Sequence, residues 1–195
     1  MGVAERWLVW RLRQGDRDAC GEMIALHHHA VYGYLRRLGA DGALAEDLTQ
    51  ETYARAWSGI AGLRQALSLR SWLLTIARNQ FFQQLRAKGI EEVPAAAGQD
   101  RADPGPDALG TIEGRERDAR LHRAVDGMEP ALRETVSLHY FHELSLREVG
   151  AVLGVPTGTI KSRVNRALDT LRHSLDHEEA SHERSRSHEA PADPY

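Results

Sequence analysis

The sequence predicts an all-α protein of two small helical units joined by a flexible connecting segment, and three observations carry that expectation. Apolar residues recur at three- and four-residue steps through most of the chain, no stretch has the period-two alternation of a strand, and one long interval almost lacks large apolar side chains. That interval, Glu91 to Asp107, is rich in Pro, Gly, Ala and Asp and reads as a linker. The expected organisation is a helical unit over 1–89, an acidic linker over 90–112, a second helical unit over 113–175 and a disordered tail over 176–195.

Each helix has its own punctuation. A short opening helix around Arg6 to Gln14 yields at Gly15, Asp16 can cap a long helix reaching about Leu38, and Gly39 closes it. A third helix runs from about Gly42 to Ser58, and a fourth from about Ser68 to Lys88 ahead of Gly89. Beyond the linker, helical patterning resumes near Ile112, and Pro130 opens a new helix after Gly127-Met-Glu. The tail from Asp176 is mostly His, Glu, Ser, Arg, Ala and Pro, with too little apolar surface to offset the entropy of ordering.

The densest pattern lies between Ser145 and Arg172. Ser145 and Glu148 have capping-box spacing, while Leu146, Val149 and Leu153 form an apolar stripe. Gly154-Val-Pro156 then turns the chain, and Thr157 offers a fresh N-cap. Two short helices about such a turn make a helix-turn-helix. In its second helix, Ile160, Val164, Leu168 and Leu171 gather on one side, leaving Ser162, Asn165 and Arg166 facing outward with Lys161 and Arg163 flanking them. Thr157, Gly158 and Thr159 keep the helix start small enough for close approach to a phosphate, so this face suits a DNA major groove. An ordinary amphipathic helix would share the charges but not the caps and the turn.

Charge sorting points the same way. The net charge is −3, but residues 1–88 carry +4, 89–117 carry −4, 118–175 carry +1 and 176–195 carry −4. No acidic residue occurs between Thr52 and Ile90, where Arg55, Arg64, Arg70, Arg78, Arg86 and Lys88 all fall, an electrostatic footprint for a polyanion. On the fourth helix, Asn79, Phe82, Gln83 and Arg86 share a face suited to stacking an unpaired base and bonding its edge, although Phe81 or Phe82 can equally serve the core. On the third, Asp47, Gln50, Glu51 and Ala54 align, with Trp57 beside them and Leu48 facing inward. That strip suits a basic partner helix, and a solvated face has the same spacing.

Other chemistry is excluded or weak. One cysteine, Cys20, allows no intramolecular disulfide and no cysteine-rich zinc site. His27, His28 and His29 point about 100° apart around a helix, and His139 with His142 lacks a completing ligand set, so no metal is expected. There is no phosphate-gripping glycine loop or nucleophile elbow, so neither an enzyme nor a cofactor is expected. No apolar run approaches a membrane span and the start lacks a secretory layout, which predicts a cytoplasmic protein with no membrane insertion.

Taken together, Ala45-Glu-Asp-Leu-Thr-Gln-Glu-Thr-Tyr-Ala-Arg-Ala-Trp57, Trp72-Leu-Leu-Thr-Ile-Ala-Arg-Asn79 and Leu144 to Arg172 resemble, in order, the polymerase-binding helix, promoter-melting helix and −35-reading module of an extracytoplasmic-function, group-IV sigma factor of bacterial RNA polymerase. The resemblance covers about Asp16 to Leu175 apart from the linker, with Leu69 where an aromatic residue is common in the family and a His-rich tail added. It implies that sigma regions 2 and 4 are present and that Asp47, Leu48, Gln50, Glu51, Ala54 and Trp57 serve the clamp helices of the largest polymerase subunit. By the same resemblance, Arg64, Arg70, Arg78, Asn79, Phe82, Gln83 and Arg86 would serve the −10 element, and Thr157, Thr159, Lys161, Ser162, Arg163, Asn165 and Arg166 the −35 element. It further implies a contact with the flap of the second-largest subunit, promoter DNA as ligand and an anti-sigma factor as regulator. Two weak modules on one tether gain avidity when both engage. A stand-alone dimeric helix-turn-helix regulator is the second reading, and an adaptor using only the acidic helix a third.

Overall fold

A computed structural model describes residues 2–63, 68–90, 121 and 123–188, with side chains described as far as His173. All regular structure among these residues is helical. Helices α1 (Val3–Arg13), α2 (Arg17–Arg37), α3 (Gly42–Gly59) and α4 (Leu69–Ala87) form the first unit, with a 3-10 turn at Ile60–Gly62. Helices α5 (Pro130–Val136), α6 (Leu146–Leu153) and α7 (Thr157–His188), with a π-helical turn at Ser137–Phe141, form the second. The linker expected over 90–112 lies outside the described residues except for Ile90.

The caps sit where the sequence puts them. Asp16 Oδ1 accepts from the amides of Asp18 and Ala19 at 2.9 and 3.2 Å, Asp41 from Leu44 at 2.8 Å, and Ser68 Oγ from Ser71 at 3.2 Å, satisfying donors that a helix start leaves orphaned. Ser145 and Glu148 close a full capping box. Pro130 is the first residue of α5, and α6 stops at Gly154 in the left-handed region (φ 70°).

The helix-turn-helix depends on one close approach. A Cβ on Gly150 would stand 2.8 Å from the Val155 carbonyl oxygen, so only glycine lets the turn fold back onto α6. Helix α7 begins at Thr157 itself, one residue earlier than an N-cap role for Thr157 requires. It then runs to His188, past the boundary expected at Leu175. Beyond Leu175 the sequence has no glycine or proline before Pro191, and its Glu, Ala and Arg residues are good helix formers.

Helices α2, α3 and α4 pack on one another around Tyr34, Leu35, Tyr53, Leu73, Leu74 and Phe81. The two units are not separate bodies. The same apolar core continues through Leu138, Leu144, Val149, Val152, Ile160 and Val164 of the second unit, and α6 lies against α4. A smaller core of Val125, Met128, Leu132, Val136 and Ala167 joins α5 to α7.

Candidate nucleic-acid interface

Three surfaces carry the candidate residues, and they differ in how open they are. On α3, Ala45, Leu48 and Ala56 are buried and fix the helix from behind, while Asp47, Gln50, Glu51 and Ala54 are exposed and Trp57 is half-buried. Glu51 Oε1 accepts from Arg55 at 2.7 Å, one turn along, an exposed pair of small energetic weight. The strip is therefore rigidly mounted and free to meet a partner.

On α7, Ile160, Val164 and Ala167 are buried, which turns Thr157, Lys161, Ser162, Asn165 and Arg166 to solvent, with Thr159 and Arg163 half-buried at the margin. The Ser162 hydroxyl donates to the Thr159 carbonyl at 2.9 Å, and Arg166 stands 3.8 Å from Glu129 while remaining 70% exposed. A Cβ on Gly158 would meet nothing within 4 Å, so the helix start has room for a phosphate against its amides.

Helix α4 is divided lengthwise. Asn79, Gln83 and Arg86 are exposed, whereas Phe81 is core and Phe82 is half-buried. Arg78 points into the boundary between the units, where its Nε donates to Glu134 Oε1 at 2.8 Å and its guanidinium lies 4.6 Å from the Phe82 ring centroid. Burial draws the Arg78 pKa down, but the hydrogen bonds and charge of Glu134 outweigh it and hold the group above its ordinary value. Arg70 is half-buried with Nη1 3.7 Å from the Glu143 carboxylate. The shared face expected for Asn79, Phe82, Gln83 and Arg86 is thus an open row beside a covered one, because Phe82 turns toward the packed edge. Arg64 lies outside the described residues.

The sequence reading missed the groups on the far side of that boundary. The Tyr34 hydroxyl donates to Glu134 Oε1 at 2.7 Å, and burial followed by the neighbouring Glu134 charge pushes the Tyr34 pKa well above the ordinary range. Glu148, read only as a capping-box partner, also accepts the Ser68 amide at 3.2 Å just ahead of α4. Burial opposes its charge, yet bonds from Ser68 and Ser145 prevail and hold its pKa below the usual carboxylate value. Glu5 Oε1 takes the adjacent Leu69 amide at 2.6 Å, so two carboxylates meet the N-terminus of α4, where the helix dipole favours them.

The π-helical turn brings His142 into the same boundary. Its ring is buried edge-on against Tyr34, with centroids 5.5 Å apart, and neither nitrogen has a hydrogen-bond partner. Burial, then the charges of Arg37, Arg70 and His29, push its pKa down to about 3. Arg37 stacks over Phe141 at 4.6 Å. Periodicity could not announce these contacts, because a π turn shifts the register of every side chain after it.

Among the described residues, no group of three or more His, Cys, Asp or Glu side chains is placed to hold a metal, and no helix is long and apolar enough to cross a membrane.

Comparisons with known proteins bear on both helical units. Residues 23–90 match the family model for Sigma-70 region 2, and residues 124–173 match that for Sigma-70, region 4. The RNA polymerase sigma-H factor of Pseudomonas aeruginosa is 27% identical over 88% of this chain and 93% of its own length. The ECF RNA polymerase sigma factor RpoE of Cereibacter sphaeroides is 31% identical over 82% and 88%, respectively. Among solved structures, the sigma factor RpoE in complex with the anti-sigma factor NepR from Bartonella quintana is 27% identical with a TM-score of 0.60, covering 80% of this chain and 96% of that one.

Proposed function

Because the chain belongs to the extracytoplasmic-function sigma factors of the sigma-70 family and so directs promoter-specific initiation by RNA polymerase, we propose that it does this through the three surfaces just described. The α3 strip of Asp47, Gln50, Glu51, Ala54 and Trp57, anchored by Leu48, docks on the clamp helices of the largest subunit. Arg64, Arg70, Arg78, Asn79, Phe82, Gln83 and Arg86 engage the −10 element, with Asn79, Gln83 and Arg86 holding the non-template strand, Phe82 stacking on a base, and Arg70 and Arg78 meeting phosphates. Thr157, Thr159, Lys161, Ser162, Arg163, Asn165 and Arg166 read the −35 duplex in its major groove, with the second unit seated on the flap of the second-largest subunit.

The observation that carries this reading is the acidic strip of α3, exposed along its length on a helix whose opposite side is locked into the core. A stand-alone operator binder has no use for such a strip. The chain acts as a non-catalytic initiation subunit in the cytoplasm, where polymerase and promoter are. An anti-sigma factor is the regulator this reading requires, supported by the partner of the Bartonella quintana protein.

The test is assembly. Purified chain added to core polymerase co-elutes with it and yields run-off transcripts, whereas Asp47→Lys with Glu51→Lys loses co-elution while keeping its helical circular dichroism. Unchanged co-elution of the double variant contradicts the α3 assignment.

A further inference from the structure

We propose that the cleft where α2, α4 and α5 meet is a binding site for a small aromatic carboxylate, whose charge is taken by Arg37 and Arg133 and whose ring lies among the apolar walls. The cleft measures about 580 Å³ out to its open mouth, within the range of roughly 300–1,000 Å³ common to small-molecule sites. Arg37 reaches it from the end of α2, Arg133 from α5, and Ser137 and Phe141 from the π-helical turn.

Two cations without an anion mark the site. The Arg37 guanidinium lies 4.6 Å from the Phe141 ring centroid, yet among the described residues it has no ion pair and donates no hydrogen bond. Burial draws its pKa down, and the charge of Asp126 offsets this only in part. Arg133 Nη1 donates to the Asp126 backbone carbonyl at 2.9 Å, a neutral acceptor, and no described carboxylate pairs with it. Of the acids in the lining, Asp126 is exposed, and Glu134 is already held by the Tyr34 hydroxyl at 2.7 Å and Arg78 Nε at 2.8 Å. Ser137 is buried, and its hydroxyl has no hydrogen-bond partner among the described residues. A half-buried guanidinium in this state gains from an arriving carboxylate, because its planar fork offers parallel N–H donors.

The rest of the lining decides the body of the ligand. Tyr34, Leu38, Phe82, Val125, Pro130 and Phe141 supply apolar and aromatic surface. A fully hydrated anion such as phosphate gains nothing from these walls, whereas a flat ring leaves water against them and meets aromatic faces or edges. A few polar anchors in an apolar cleft are the usual composition of a small-molecule site. Because the ligand touches only the folded chain, its binding raises the melting temperature.

The experiment uses the full chain with sodium benzoate as the probe, read by isothermal titration calorimetry and a thermal melt. The wild type binds benzoate at one saturable site and melts at a higher temperature in its presence. Arg37→Gln and Arg133→Gln each weaken binding roughly tenfold with unchanged helical circular dichroism. Arg17→Gln, the same change in charge at an exposed position at the other end of α2, binds as the wild type does. Benzamide, with the ring but no charge, and inorganic phosphate, with charge but no ring, each bind roughly tenfold more weakly than benzoate. The proposal is overturned if the wild type has no saturable benzoate site, if benzamide or phosphate binds as tightly as benzoate, or if the arginine variants bind as the wild type does. Should Arg37→Gln unfold, Arg133→Gln decides the last point alone.

Discussion

The two basic helices of this molecule, α4 and α7, carry similar side chains yet meet solvent differently. On α7 the polar face is turned outward along its length by the burial of Ile160, Val164 and Ala167 on the other side. On α4 the row of Arg70, Arg78 and Phe82 is taken up by the second unit, and only Asn79, Gln83 and Arg86 remain open. The difference teaches that a nucleic-acid face is defined by what competes for it as much as by its own residues. On the proposed reading a duplex meets α7 along an open face, whereas α4 offers nucleic acid the row of Asn79, Gln83 and Arg86.

The largest expected effect breaks the open side of this contrast. Lys161→Ala with Arg166→Ala weakens binding to a cognate −35 duplex roughly a hundredfold, at about 1–3 kcal/mol per contact, and leaves thermal stability nearly unchanged. Fluorescence anisotropy and a melting curve check both halves, and a large fall in melting temperature would mean these side chains serve the fold instead.

Next comes the turn that holds α7 in place. Gly150→Ala sets a Cβ 2.8 Å from a backbone oxygen, tighter than real contacts allow. The turn must then shift, at about 1–3 kcal/mol in chemical denaturation, with −35 binding lost alongside stability. A variant as stable as the wild type would refute the close approach.

The covered side is sharpened by pH. His142 has an ordinary pKa of 6.5 that burial, together with the charges of Arg37, Arg70 and His29, lowers to about 3, so well above pH 6.5 it is neutral in both folded and unfolded chains. As pH falls below 6.5 the unfolded chain takes up a proton that the folded one refuses, and stability declines progressively until the pH reaches about 3. At pH 5 the loss amounts to about 2 kcal/mol from this group. Denaturation of His142→Leu at pH 5 and 7.5 measures the difference, and an unaltered pH slope would show that His142 is not the group responsible.

The smallest step is local. Ser145→Ala removes one arm of the capping box and costs about 1 kcal/mol, visible as an earlier melt with both nucleic-acid faces intact. A melt that does not move would mean that the Glu148 carboxylate alone holds the start of α6.

Much of this architecture was legible in the chain. Asp16, Ser68, Ser145, Glu148, Pro130 and Gly154 are local signals whose effect falls within a helical turn, and they bound the helices within a few residues. The alignment of Asp47, Gln50, Glu51 and Ala54 was likewise readable, because three- and four-residue spacing translates directly into a face. The contact across the boundary between the units was not. Tyr34 and Glu134 are 100 positions apart, and neither bears a local mark of its partner. Nor was burial of His142 visible, since the π turn at Ser137–Phe141 interrupts the period from which burial is inferred.

The most direct test of the account is whether the chain lets core polymerase start transcription through its α3 strip. Added to core polymerase, the wild type yields run-off transcripts from a cognate promoter, whereas Asp47→Lys with Glu51→Lys, whose side chains are exposed, yields none. Equal transcript yield from the double variant and the wild type would contradict it.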